Sequence, residues 1–405
     1  MATKPIGFKR ERPEDANIYN TIHTETQLYR VRQDVGRLRL ALTVAENIQA
    51  PQRYLLYQTY KDSMLDAHLT ACIENRINMT MSREHKMLNA DGTINEDATK
   101  ILNTKWFYDY CRYVLETPYY GYSVIQFGDI TNKGFASSTL IPRQYVKPEF
   151  HLVTAQSSGF TGNDYREEPF KWWCQGVGDE KDLGLLKQAS IYAIYKKNAL
   201  GAWAEFCEVF GVPIRIGKTD ITDPLTRQNM ENFLKNMGVS SYAVMDKNDI
   251  IDVVESNRSD AFQVFDEMIN RANTEISKLI LGSTGMMDEK SHVGAASVHE
   301  KVSERYQERD EHLLENYVNN GLIEILEYHN IIPKGLTYEL SDIEDIDLQD
   351  RAKMDIELLN TGKYKIPATY ILETYGTPVI EIEEPKQTPT QKTITNELAD
   401  LYPEM

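Results

Sequence analysis

Residues 211–219, GVPIRIGKT, raise the first chemical question, because Gly-Lys-Thr closes the phosphate-binding loop G-x-x-x-x-G-K-T. That loop needs glycine at position 212, where Val212 stands, and Gly211 lies one residue too far. The intervening residues are β-branched and alternating, which favours a strand over a turn whose amides cradle phosphate. His292 and His299, with Asp288 and Glu289 nearby, are metal-binding types, but they straddle an expected loop–helix junction without a rigid third ligand. A solvated loop is the reading preferred there. Cys72, Cys111, Cys174 and Cys207 lack zinc or redox spacing, which points to free buried thiols in a reducing compartment. In residues 90–97, ADGTINED, aligning Gly92 with the glycine of a calcium loop puts Met87 and Ala98 at the first and twelfth ligand positions. Neither can coordinate, so the segment reads as a turn. Asp342, Glu344, Asp345 and Asp347 alternate with Ile343 and Ile346 as in an exposed strand or turn, whereas two-metal centres draw acids from separate elements. No nucleophile elbow, HExxH helix or Ser/His/Asp arrangement is present. The residues therefore assign no catalytic, cofactor-binding or metal role, and the expectation is a protein that is not an enzyme.

The elements beneath these residues are mainly helical. Residues 1–33 read as an extended or partly ordered arm, and 34–82 as broken helix in which Leu65, Leu69 and Ile73 share a face. A helix is expected from about Asn95 towards Thr117, then a strand over 122–130 and an extended stretch over 139–154. Residues 156–169 read as a loop, ending at Trp172 and Trp173, which suit a core or a subunit contact. A long helix over 183–210 stops at Gly211 and Pro213. A β-α-β element follows, whose short helix carries Leu225, Met230, Phe233, Leu234 and Met237 on its apolar side. A second long helix spans 259–281, and a Gly-bounded segment, GSTGMMDEKSHVG, leads into a third, from Ala295 to about Asn330. Its apolar stripe is Val298, Val302, Tyr306, Leu313, Tyr317 and Leu322. At ~1.5 Å per residue the two helices flanking the β-α-β element each reach ~30–40 Å. Running antiparallel, they would carry that element at one end and the Gly-bounded segment at the other. A helix pair has too little core to stand alone, and copies in a closed ring would cover its stripes by heterologous contacts.

Charge bears on what such a ring could hold. The chain has 405 residues and a net charge of −17, from 61 acidic and 44 basic side chains. A protein that grips DNA by neutralising phosphates is normally basic, so nucleic acid is either irrelevant or met without adhesion. No run of eighteen apolar residues occurs, and the N-terminus lacks the apolar core of a secretory signal. A soluble chain made in a cytosol, with no membrane partner, is the expectation.

The stretches DSMLDAHLTACIENRIN (62–78), GAWAEFCEVFGVPIRIGK (201–218), ISKLILGSTGM (276–286), VGAASVHEKVSERYQERD (293–310) and LLNTGKYKIPATYILETYGTP (358–378) follow one another along the chain. In that order these five resemble one family, the Mu-like bacteriophage portal proteins. The resemblance covers about residues 34–380. It implies an α+β, mainly α, portal fold with wing, stem, clip and a small crown, and a homo-oligomeric ring, usually a dodecamer, at one capsid vertex. Carried onto this chain, the arm and wing take 1–183, the first stem helix 184–210, the clip 211–258 and the second stem helix 259–282. The tunnel loop takes 283–293, the long wing helix and wing strand 294–349, and the short crown and tail 350–405. The implied partners are double-stranded DNA passing through the channel, terminase, a head-completion or adaptor protein, and the major capsid protein or scaffold.

An acidic wall would repel the duplex and keep it centred, whereas Lys or Arg contacts would grip phosphates. Asp260, Glu267, Glu275, Asp288 and Glu289 are the expected channel-facing acids, with Lys290 and His292 as sparse positive contacts. Arg227, Asn229, Glu231, Asn232 and Lys235 form the expected partner-binding face of the clip. Two rivals stay open: a non-portal ring or adaptor of a phage-derived particle, and a nucleotide-dependent enzyme using the GKT segment. The Pro/Thr-rich tail, residues 383–393, is expected to be poorly ordered.

Overall fold

The computed structural model of the chain describes residues 10–22, 34–210, 215–219, 222–236, 242–246, 261–283, 293–341 and 348–362, with 366, 367, 370, 371 and 375. The chain forms two compact units, residues 1–341 and 342–405.

The first unit opens with helices α1 (Val35–Ala45), α2 (Tyr54–Ser63) and α3 (Ala67–Met81), then strand β1 (Glu84–Leu88). The breaks expected in residues 34–82 are real. Asp34 and Asp66 cap α1 and α3 by accepting from the Arg37 and Leu69 amides. Leu69 and Ile73 are buried as expected, whereas Leu65 falls in the α2–α3 turn and is exposed. The helix expected over 95–117 is two helices, α4 (Glu96–Leu102), capped by Asn95, and α5 (Lys105–Tyr120). Thr104, in extended conformation, restarts the helix, so α5 can turn Trp106, Phe107, Tyr110, Cys111, Val114 and Leu115 inward.

Next come β2 (Tyr122–Phe127), β3 (Ile130–Thr131), β4 (Gly134–Phe135), β5 (Ser138–Leu140), β6 (Val146–Lys147), β7 (Leu152–Thr154), β8 (Gly162–Asp164) and β9 (Cys174–Gly178). The strand expected at 122 forms, with β5 and β9 antiparallel on either side. Its alternation feeds two cores. Ile125 and Phe127 join the main core with Trp106 and Phe135, while Tyr122 and Val124 join a second core with Tyr145, Val153 and Tyr165. Residues 139–154 are broken by single helical turns, and the loop expected at 156–169 carries β8, paired with β7. Part of the N-terminal arm is also structured. Arg12 donates to the Phe127 carbonyl at 2.7 Å, and Ala16 and Ile18 are fully buried.

The remaining elements of this unit are α6 (Leu186–Phe210), β10 (Arg215–Thr219), α7 (Pro224–Asn236), β11 (Tyr242–Asp246), α8 (Ala261–Leu281), α9 (Val293–Tyr317), α10 (Ile323–Tyr328) and β12 (Thr337–Ser341). β12 pairs antiparallel with β1. The third long helix is interrupted by a π turn at Val318–Leu322. Leu314, Val318, Leu322 and Leu326 are its fully buried residues among those described, whereas Leu313 and Tyr317 are only partly covered. The wider π turn keeps a stripe of four-residue steps on one face. It also brings Gly321 against Gln175, whose Nε2 would lie 2.2 Å from an added Cβ. In the second unit, α11 (Leu348–Asn360) accepts the Tyr370 and Tyr375 hydroxyls on Asp355 at 3.2 and 2.6 Å.

Candidate channel wall and docking surface

α6 and α8 form an antiparallel rod. Near the body, Lys196 of α6 meets Asp66 at 2.8 Å, and His68 Nε2 of the same α3 turn lies 2.8 Å from Ser277 Oγ of α8. Further out, Trp203 and Phe206 of α6 meet Phe265 of α8, with centroids 6.4 and 6.1 Å apart. Numbers rising along one helix and falling along the other fix the opposed directions. Burial follows the same axis. Leu186, Ala189, Ala193, Ile194 and Ala199 are buried on α6, and Ala272, Ile276, Ile280 and Leu281 on α8. From Leu200 to Glu208, and from Gln263 to Asn270, every residue is exposed or half-exposed. Val264 is 66% exposed and Met268 41%. The outer half therefore stands away from the core with an aromatic rung as its own glue.

Charge divides at the same place. On the inner half Lys196 pairs with Asp66, Lys197 with Asp62 at 2.9 Å, and Arg271 and Lys278 both with Glu275 at 3.0 and 3.3 Å. The outer half, residues 201–208 and 261–270, contains Glu205, Glu208, Asp266 and Glu267 and no Lys or Arg. All four are exposed, and none forms an ion pair among the described residues. Of the expected channel acids, Glu267 lies on this acidic half, while Glu275 lies on the neutralised half between two cations. Asp260, Asp288, Glu289, Lys290 and His292 lie outside the described residues. Glu205, Glu208 and Asp266 were not singled out by sequence. Two acid-only stretches were visible, but only the antiparallel pairing brings them together.

At the outer end, β10 and β11 run parallel, from Arg215 opposite Tyr242 to Thr219 opposite Asp246, with α7 between them in sequence. Gly217, Lys218 and Thr219 are thus ladder residues of a strand. Met230 and Leu234 lie over Gly217, and Leu234 is buried. The expected apolar side of α7 is only partly internal: Leu225 is 68% and Phe233 60% exposed. The reason is angular, since at 100° per residue 230 and 234 define one narrow edge and 225, 229 and 233 fall on a neighbouring flank. The opposite flank holds Arg227, Glu231 and Lys235, with Arg227 bonded to Glu231 at 3.1 Å. Arg227, Asn229, Asn232 and Lys235 are exposed and Glu231 is half-buried.

Three of the four thiols are buried, and burial pushes that of Cys174 up to about 12; Cys207, on the outer rod, is exposed. The expectation of buried thiols fails there because the rod has no core at that height. Among the described residues no group of three His, Cys, Asp or Glu side chains could hold a metal, and no helix is long and apolar enough to cross a membrane.

The family model described as the portal protein of Mu bacteriophage matches residues 57–377. Curated proteins give no match to the sequence. Among solved structures, the neck of an empty gene transfer agent particle, computed with C6 symmetry, has a TM-score of 0.50 at 12% identity, covering 85% of this chain and 100% of that one. The virion of a native gene transfer agent particle gives 0.49 at 11%, covering 85% and 100%. An HK97 family phage portal protein from Corynebacterium diphtheriae gives 0.40 at 11%, covering 72% and 95%. At such identities the neck protein shares a fold with this chain and nothing finer. The family match is more specific, since it runs from α2 through the rod and its β-α-β element to beyond α11. The chain belongs to the portal protein family of Mu bacteriophage.

Proposed function

We propose that copies of this chain close into a ring at one capsid vertex, with the α6–α8 rods around a channel for DNA. The observation that carries this reading is the outer rod, which exposes apolar residues on one flank of α8 and unpaired acids elsewhere. A lone chain gains nothing from holding Val264 and Met268 in water, whereas neighbours in a ring would cover them. The acids then serve the passage. Each phosphate bound to a cation would add a salt-dependent hold on the duplex, and a wall of like charge removes that hold. Screening limits the effect to ~8–10 Å at physiological salt, so it acts where the wall comes close to the duplex.

In portal terms the rod is the stem, β10–α7–β11 the clip, the helices and sheets around α3 and α5 the wing, and residues from 350 the short crown and tail. The clip is where terminase during packaging, and a head-completion or adaptor protein afterwards, would dock. The ring is tested on the purified full-length chain by electron microscopy and mass measurement: annuli with a central hole are expected, and a monomer at every concentration would sink the reading. A phage-derived particle is the second reading, favoured by the gene transfer agent neck that shares the fold. Sequencing the DNA of filled heads separates the two, since viral genomes support the first and host fragments the second.

A further inference from the structure

Among the described residues, α8 and α9 meet at a buried junction made by α3. Arg76 is 3% exposed. Its Nε and Nη2 donate to the two carboxylate oxygens of Asp310 on α9, both at 2.7 Å, and its Nη1 donates to the Ile280 carbonyl of α8 at 2.7 Å. Tyr306 of α9 lies under the guanidinium, 4.6 Å from ring centroid to Cζ. Burial opposes this charge, but Asp310 and the neighbouring tyrosines outweigh it and raise the Arg76 pKa. The exit from α8 is locked from the other side. Gly282 takes φ +73°, and an added Cβ would lie 2.3 Å from Tyr306 Cε2 and 3.0 Å from Val302 Cγ1. At the end of α3 Gln307 donates to the Met79 carbonyl at 3.2 Å, and just beyond it Arg83 pairs with Glu311. One segment of the body, α3 with Arg83 just beyond it, thus holds the last turn of the rod and the second half of α9.

We propose that Arg76 is a positioning residue: by binding Asp310 and the Ile280 carbonyl together, it fixes the rod and the second half of the following helix to the body as one piece. This rests on the portal reading, and it deepens that reading by naming what resists the load when DNA pulls on the channel lining. A guanidinium suits the task because it forks, so one side chain satisfies a carboxylate and a helix-end carbonyl at once. Lysine has the charge without the fork.

The test compares the full-length parent with Arg76→Met/Asp310→Leu and with Arg76→Lys. Replacing a buried ion pair by apolar groups of similar size commonly preserves folding, so the double variant separates position from stability. Rings should form in both variants within about twofold of the parent yield. Amide hydrogen exchange at residues 280–283 should accelerate about ten- to a hundredfold in the double variant, the factor that losing one charge-assisted hydrogen bond permits, and less in Arg76→Lys. In cells where the variant is the sole source of portal, DNA-filled heads should fall by about tenfold. Unchanged exchange in the double variant overturns the proposal, and so does accelerated exchange with normal head filling. A parent that forms no rings would instead defeat the portal reading, and the exchange experiment, read on the chain itself, stands apart from that outcome.

Discussion

Two buried cations show how differently the body treats charge. Arg53, 2% exposed, donates to Glu149 and to the carbonyls of Asp182, at 2.8 Å, and Glu180; burial works against its charge, yet its partners raise its pKa. Those carbonyls belong to the loop that enters α6, so Arg53 fixes the root of the first rod helix much as Arg76 fixes that of the second. Among the described residues the acceptors of Lys147, 1% exposed, are neutral, Gln52 Oε1 at 3.1 Å and the Ser157 carbonyl at 2.9 Å. Burial therefore brings its pKa down to about 8 from the ordinary 10.5. Between those values the unfolded chain binds a proton that the folded chain does not, so stability rises with pH across the window and the penalty is fully present below it. The gap between Lys147→Met and the parent in urea unfolding should narrow by about 3 kcal/mol from pH 8 to pH 10.5. A gap independent of pH would show that Lys147 stays charged in the fold.

At the scale of elements, the rod helices lie within three residues of where periodicity alone placed them, and the β-α-β element is present between them. α7 is where pattern and packing part. A two-stranded ladder covers only one edge of a helix, so Leu225 and Phe233 are left to water on the flank opposite the charged one. The clip should therefore hold its partner mainly through the apolar flank, with charge setting the approach. Leu225→Ser with Phe233→Ser should weaken binding of terminase or the head-completion protein by about tenfold or more, mostly through faster dissociation. Arg227→Glu with Lys235→Glu should chiefly slow association, with a changed salt dependence. Surface-binding kinetics distinguish the two, and binding indifferent to both pairs would move the docking site off α7.

Across the whole molecule, net charge of −17 conceals a division that matters more than the total. Cations accompany acids on the inner rod and are missing from the outer rod, so repulsion is concentrated on the part that leaves the body. Rings carrying Lys at 205, 208, 266 and 267 should assemble but retain duplex DNA. The slope of log affinity against log salt should steepen by about 0.9 for each phosphate newly neutralised. Gln at the same positions should leave retention near that of the parent. Filter binding over a salt series gives both answers, and a Lys ring that ignores DNA would take these acids out of the channel wall.

The lengths of the two rod helices, the central strand, the β-α-β order and the failure of the GKT segment as a nucleotide loop follow from local chemistry: periodicity, capping residues, and β-branched residues where glycine is required. Family membership was likewise legible, because five stretches kept their order along the chain. Which face of each element is covered was not. The two-core burial of β2, the exposed flank of α7, the neutral inner and acidic outer rod, and the Arg76 junction all depend on residues distant in sequence meeting in space. Arg76 and Asp310 are 234 positions apart. Local pattern specifies an element because its physics is short-ranged; burial, pairing and field belong to neighbours that only the folded chain supplies.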